Sequence, residues 1–289
     1  MFTNKPLDNI ALGLRRAARA TRRYAKSFYF SSLFLPPAKR DAFYSIYAIC
    51  RLSDEATDKD ASLFELSNIK RSIDAVYEGQ SPHNNLLLAF KKSVEDYDIP
   101  KKYFEDLVDG MYMDFVKQRY ANFAELEEYC YKVAGVIGLI VLKILGSQSP
   151  EAKEYAVHIG IAMQLTNILR DIKEDYQRGR IYLPQDEMSS FGVSEADIAN
   201  ANLNDNFRSL MKFQIKRART WYHNSEPGFK LIDKKRERFV AYNMKEIYSG
   251  ILDSIEKNHY DVFSKRAYVS LIGKIIRSWK ASRKLNHEN

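Results

Sequence analysis

Tyr47-Ala-Ile-Cys-Arg51-Leu-Ser-Asp54-Glu-Ala-Thr-Asp58 is the stretch that decides the fold. It contains neither Gly nor Pro, and its polar residues recur at helical spacing. At 100° per residue, Tyr47, Arg51, Asp54 and Asp58 fall within an arc of ~60°. The spacing predicts a helix with one polar stripe on an otherwise apolar body. Two carboxylates one turn apart repel each other when exposed. Partly buried, they need a cation, and a pair of hard oxygen donors suits Mg²⁺.

A second stripe has the same character. In Gln164-Leu-Thr-Asn167-Ile-Leu-Arg170-Asp171-Ile-Lys-Glu-Asp175, the residues Gln164, Asn167, Asp171 and Asp175 share an arc of ~80°. Leu165, Ile168, Leu169 and Ile172 occupy the other faces and bury the helix. A single Asp-x-x-x-Asp arises by chance on solvated helices. Two of them, each extended by an amide, Tyr or Arg on an apolar helix, point to metal ligands. Two facing stripes would hold several Mg²⁺ ions and leave positions open for water and substrate phosphate. Arg51, Arg170 and Lys26 add cations that grip a diphosphate and stabilise it as a leaving group. An aromatic, apolar interior would then shield an allylic carbocation from water.

Composition agrees with a helical interior. The 289 residues include only 12 Gly and 8 Pro, too few turn formers for a β-sandwich or barrel. An apolar fraction of 45% supports a sizeable core. The 19 Tyr and 16 Phe are enough to line a large cavity. Two cysteines, Cys50 and Cys130, make neither a disulfide framework nor a Cys-based zinc site, so a reducing compartment is expected. The N-terminus lacks the apolar core of a secretory signal. The longest apolar run, residues 133–145, contains Lys143 and falls short of the ~20 residues that span a bilayer. The expectation is a soluble cytoplasmic protein or a peripheral one at the inner membrane face.

The net charge of +8 is concentrated. Arg15, Arg16, Arg19, Arg22, Arg23 and Lys26 form one acid-free cluster, and Lys265, Arg266, Lys274, Arg277, Lys280, Arg283 and Lys284 form another. Such clusters suit phosphates or an acidic membrane face, unless they are solvated helix faces. Nucleic acid is the poorer match, because the acidic stripes face inward.

Helical periodicity runs through 37–59, 86–97, 103–116, 125–145, 151–175, 206–222, 234–259 and 269–283. Breaks fall at Ser81-Pro82, Ile99-Pro100, 146–150, 179–184 and Glu226-Pro227-Gly228. No Gly-, Ser- or Pro-rich linker divides the chain. One all-α domain over 1–289 is expected, with eight to ten helices around a central cavity. The last helix carries Leu271, Ile272, Ile275, Ile276 and Trp279 between basic residues. That stripe either rests on a membrane or packs on the domain body.

Further segments give these stripes a family setting. They are Lys26-Ser27-Phe28, Leu35-Pro36-Pro37 with Arg40, Gly110-Met-Tyr-Met-Asp114, and Tyr129-Cys-Tyr131-Lys-Val-Ala134-Gly-Val-Ile-Gly138. Arg178-Gly-Arg-Ile-Tyr-Leu-Pro184, Tyr248 and Tyr260-Asp-Val-Phe-Ser-Lys-Arg266 complete the set. With the two stripes, the chain over about residues 20–270 resembles the squalene/phytoene synthases, the head-to-head prenyl transferases. In pattern it is most similar to the bacterial phytoene and dehydrosqualene synthases.

The resemblance implies an all-α isoprenoid-synthase fold and two prenyl diphosphates, farnesyl or geranylgeranyl, bound with Mg²⁺. One would ionise, and the double bond of the other would attack the cation to give a cyclopropylcarbinyl diphosphate. A second ionisation and rearrangement would give a C30 or C40 hydrocarbon. By the resemblance, Asp54, Asp58, Asn167 and Asp171 bind Mg²⁺, with Asp175 in support. Lys26, Ser27, Tyr47, Arg51, Gln164 and Arg170 hold diphosphate. Tyr248 and Tyr129 face the diphosphate or the cation, with packing as the other reading of Tyr129. Ala134 and Gly138 admit either a prenyl chain or a close helix. Glu55 stands where the family usually has Asp, and Ala25 where some relatives have a hydroxyl.

Loss of a proton would give phytoene or dehydrosqualene, the favoured carotenoid-type outcome. NADPH enters only if squalene is the product, and a presqualene diphosphate synthase would stop earlier. A head-to-tail transferase or terpene cyclase would carry a different second motif. A non-catalytic squalene-synthase-like assembly factor would have lost acids from the stripes. Asp54→Ala and Asp171→Ala should each abolish turnover with little loss of folding, because crowded carboxylates destabilise the metal-free protein. Activity assays paired with thermal melts check both halves.

Overall fold

Among the described residues, side-chain caps open five of the helices. The computed structural model describes residues 6–58, 62–82 and 84–287, except for the side chains at 6–7, 54–58 and 286–287. The first helices are α1 (Pro6–Tyr24), α2 (Lys26–Ser32) and α3 (Pro37–Asp58), the last opened by a proline in its first turn. The Ser62 hydroxyl caps α4 (Leu63–Tyr77) by accepting from the Glu65 N–H, and Asn84 caps α5 (Asn85–Asp96). After α6 (Lys101–Val116), Asn122 caps α7 (Phe123–Cys130). Then come α8 (Val136–Leu145), α9 (Ala152–Arg170), α10 (Ile172–Gln177), α11 (Gln185–Ser190) and α12 (Glu195–Ala199). Asn204 caps α13 (Asp205–Ser225), and α14 (Lys235–Lys257) and α15 (Leu271–His287) complete the all-helical domain.

Two apolar clusters form the interior. One gathers Phe43, Phe90, Phe104, Ile140 and Val240, and the other Leu169, Phe207, Leu210, Ile251 and Ile255. Tyr131, Ile159 and Met163 touch both, so α9 and the turn before α8 join the two halves.

The helix α9 lies unusually close to its neighbour. A Cβ on Gly138 would sit 1.9 Å from the Ala156 carbonyl oxygen, and one on Gly160 would sit 2.2 Å from that of Ala134. Helix packing therefore claims Gly138, although Gly138 and Ala134 also line an internal cavity.

The sequence expectation needs three corrections here. The span 125–145 is not one α-helix, because Tyr131–Gly135 form a π-helical turn where the Gly160 backbone presses in. The span 151–175 kinks at Asp171, which leaves helical geometry at φ −108° and ψ 15°. The Asp171 N–H still donates to the Asn167 carbonyl at 2.9 Å, and the Asp175 N–H to that of Asp171 at 2.9 Å. Third, the described residues form fifteen α-helices and not eight to ten, because the periodic spans leave out α1 and α4, and α2, α10, α11 and α12 are too short to show periodicity.

The terminal helix α15 packs on α14 with Lys274, Ser278, Ala281 and Leu285 turned inward. The packing alternative for its apolar stripe does not hold, because Leu271, Ile272, Ile275, Ile276 and Trp279 are all exposed. Gly138→Ala should cost about 1–3 kcal/mol by forcing α8 away from α9. A lowered melting temperature of the purified variant checks it.

Candidate active site

A polar vestibule of about 1260 Å³ opens into an apolar cavity of about 260 Å³. Tyr47 from α3, Gln164 and Asn167 from α9, and Tyr248 from α14 line both spaces and form the neck between them. Below the neck the walls are Phe28, Ala134, Ile137, Ile159, Met163 and Phe229, with others of the same kind. Above it most of the wall is polar, and the charged side chains of the site are all found there. A head group and an apolar tail would therefore part at the neck.

The vestibule brings together Lys26, Ser27, Tyr47, Arg51, Tyr129, Gln164, Asn167, Arg170, Asp171, Asp175 and Tyr248. Helix periodicity explains the α9 set, and the kink at Asp171 keeps Asp175 on the same side. Asp54 and Asp58 lie on the last turns of α3, beyond Tyr47 and Arg51 on the same helix. Their side chains, and that of Glu55, are outside the described residues. The Arg51 guanidinium sits 4.8 Å from the centre of the Tyr24 ring.

Asp171 is the best-connected group in the site. Arg170 Nε donates to its Oδ1 at 2.7 Å, and Arg266 donates through Nε and Nη2 at 2.8 Å each. Burial would raise the Asp171 pKa, yet hydrogen bonds and charge from the two guanidiniums hold it well below the usual carboxylate range. Asp171 is therefore already neutralised, and mutual carboxylate repulsion is the wrong description of it. Arg178 approaches Asp175 at 3.8 Å.

A second cluster surrounds Asp114. Tyr182 Oη donates to Asp114 Oδ1 at 2.7 Å, and Tyr129 Oη lies 3.2 Å from both Asp114 Oδ2 and Tyr182 Oη. The Tyr129 and Tyr182 rings stack with centres 5.0 Å apart. Burial pushes both phenols well above their ordinary pKa, so each stays a neutral donor. Tyr129 thus packs in the core and lines the vestibule, with its hydroxyl held by Asp114 and Tyr182.

Sequence reasoning placed Asp114, Arg180, Tyr182 and Arg266 in motifs and Lys274 in a basic cluster, but put none of them in the site. Lys274 lines the vestibule, with its pKa lowered by burial and by nearby Lys26. Two close ammonium groups of this kind suit an anion. The available signal was that Arg266 and Lys274 belong to an acid-free basic cluster.

The donor set fits a hard divalent cation. Asn167 Oδ1 is a buried acceptor with no hydrogen-bond partner, and it shares the vestibule with Asp171 and Asp175. All three offer oxygen, as Mg²⁺ requires. Among the described residues, no group of three or more His, Cys, Asp or Glu side chains forms a metal cluster by itself.

The folding half of the expectation for Asp171→Ala changes accordingly. Removing this carboxylate strands two guanidiniums and should cost about 1–3 kcal/mol. The depressed pKa sets the sign of the pH effect. The stabilisation is complete above the ordinary value of 3.8 and is lost as pH falls towards the lower folded value. Denaturant melts of both proteins should converge in acid.

The squalene/phytoene synthase family model matches residues 21–273. The 15-cis-phytoene synthase of Synechocystis sp. is 37% identical over 288 residues, covering 94% of this chain and 85% of that protein. The chloroplastic phytoene synthase of an Oncidium hybrid cultivar is 40% identical over 271 residues, covering 90% of this chain and 65% of that one. A crystal structure of a dehydrosqualene synthase in complex with ligand superposes with a TM-score of 0.92 at 30% identity, covering 98% of this chain and all of the other. Enzymes of this kind typically use Mg²⁺. The kinked acidic helix, the polar vestibule and the apolar cavity beneath it are thus those of a head-to-head prenyltransferase, and the chain belongs to the squalene/phytoene synthase family.

Proposed function

We infer that the chain condenses two molecules of geranylgeranyl diphosphate into phytoene, with Mg²⁺ and without NADPH. The observation that carries the chain length is the depth of the apolar cavity. It reaches from Asn167 at the neck to Ala152 at the other end of α9. Fifteen residues of helix rise about 22 Å. From ordinary C–C bond lengths an extended isoprene unit spans about 5 Å, so four units fill about 20 Å and three only about 15 Å. The phytoene synthases cited above, at 37% and 40% identity, support the same reading.

Asn167, Asp171 and Asp175 would hold Mg²⁺ on one side, with Asp54 and Asp58 supplying the other. The bound metal would neutralise the diphosphate and make it a better leaving group. Lys26, Ser27, Arg51, Arg170 and Gln164 orient the two diphosphates, and Lys274 joins them. The C1–O bond of one substrate breaks, and pyrophosphate departs with the electron pair. The double bond of the second substrate then attacks C1, and proton loss closes the cyclopropylcarbinyl diphosphate. A second C–O cleavage and ring rearrangement follow, and loss of a further proton yields the hydrocarbon. The apolar walls exclude water from the cation, and the ring faces of Tyr47 and Tyr248 at the neck stabilise it. The neutral hydroxyls of Tyr129 and Tyr182 are held in place by Asp114.

Incubation with geranylgeranyl diphosphate and Mg²⁺ should give a C40 hydrocarbon, unchanged by NADPH on mass spectrometry. A C30 product from farnesyl diphosphate alone would defeat the chain-length assignment. Filling the far end with Ala152→Phe should reduce kcat/KM for the C20 substrate about tenfold more than for the C15 substrate. Parallel kinetics with both diphosphates check this.

A further inference from the structure

The terminal helix α15 is inside out. Its buried face is Lys274, Ser278, Ala281 and Leu285, and its apolar stripe is turned about 120° away into the open. Leu271, Ile272, Ile275, Ile276 and Trp279, with Tyr268 just before the helix, are between 48% and 73% exposed. A contiguous stripe of this size is rare on a surface facing only water.

We propose that this stripe docks the protein on an anionic lipid bilayer, with the mouth of the vestibule at the membrane surface. Position is the first argument. Tyr268, Leu271 and Lys274 line the vestibule, as do Tyr24 and Leu33 across it, both exposed. Charge is the second. No acid occurs between Val262 and His287, and Lys265, Lys280 and Arg283 border the stripe as exposed cations. Arg22, Arg23 and Lys26 stand exposed on the opposite rim. Apolar side chains ringed by Lys and Arg match an anionic headgroup layer over acyl chains. The same ring disfavours a second copy of this chain, because like charges would meet.

Product chemistry is the third argument, and it rests on the function proposed above. A hydrocarbon without a polar group cannot leave through water, and a rim set in lipid gives it somewhere to go. Among the described residues no helix is long and apolar enough to cross a membrane, so the contact is peripheral.

The test is sedimentation of the full chain with vesicles of equal parts phosphatidylglycerol and phosphatidylcholine, against phosphatidylcholine alone. Trp279 is one of two tryptophans, so a Trp221→Phe background makes it the sole reporter. The expected result is binding to the anionic vesicles, a blue shift of Trp279 emission, and weakening by high salt. The triple variant Ile272→Ser, Ile276→Ser, Trp279→Ser should bind about tenfold less, or not at all, and keep its turnover of detergent-dispersed substrate. Absence of vesicle binding, or equal binding by the triple variant, overturns the proposal. So does a stable dimer that the triple variant dissociates, which would make the stripe a self-interface. Condensation activity without vesicle binding defeats this inference alone. Vesicle binding without condensation defeats the proposed reaction and leaves the docking surface standing.

Discussion

A carboxylate clamped between two guanidiniums holds the site in shape. Asp171 sits at the kink between α9 and α10, bonded to Arg170 beside it and to Arg266 95 residues later. The neighbouring charges outweigh the cost of its burial, so it stays ionised where it would otherwise take up a proton. The Arg266 arm also fixes the segment that leads into α15 and forms one wall of the vestibule. Kink, vestibule wall and the approach to the last helix are therefore set by one partly buried ion-pair network.

The second constraint is steric. Gly138 and Gly160 let α8 and α9 approach closer than any side chain would allow. The π-helical turn at Tyr131–Gly135 absorbs the mismatch where the backbone of α9 presses against it. A rigid wall results, and the apolar cavity runs along it from Asn167 to Ala152. Charged groups stop at the neck, since none could be paired among the apolar walls below it, where Ser225 is satisfied by the Tyr222 carbonyl. This division between charged mouth and apolar floor is what lets one chain handle a diphosphate and a hydrocarbon tail together.

Much of this was legible in the sequence because helix periodicity is local. The spacing of Gln164, Asn167, Asp171 and Asp175 gave a shared face, and all four do reach the vestibule. Tyr47 and Arg51 arrive there from α3 by the same rule. Lys274, Tyr182 and Arg180 were not legible as site residues, since each reaches the vestibule only through tertiary packing. The state of Asp171 escaped notice for a related reason. Its neighbour Arg266 is distant in sequence, so counting charges along one helix suggested repulsion where the fold supplies neutralisation.

The helical class, the spacing of the two acidic stripes and the motifs that carry the family resemblance can all be read along the chain. Each depends on residues within a few turns of one another, where backbone geometry is nearly fixed. Long-range packing sets the rest: Gly138 serves helix contact as well as the cavity wall, α9 kinks at Asp171, and α15 turns its apolar stripe outward. Those outcomes depend on which surface each element meets. An amphipathic pattern shows that a helix has two faces, and only its neighbours select the one that is buried.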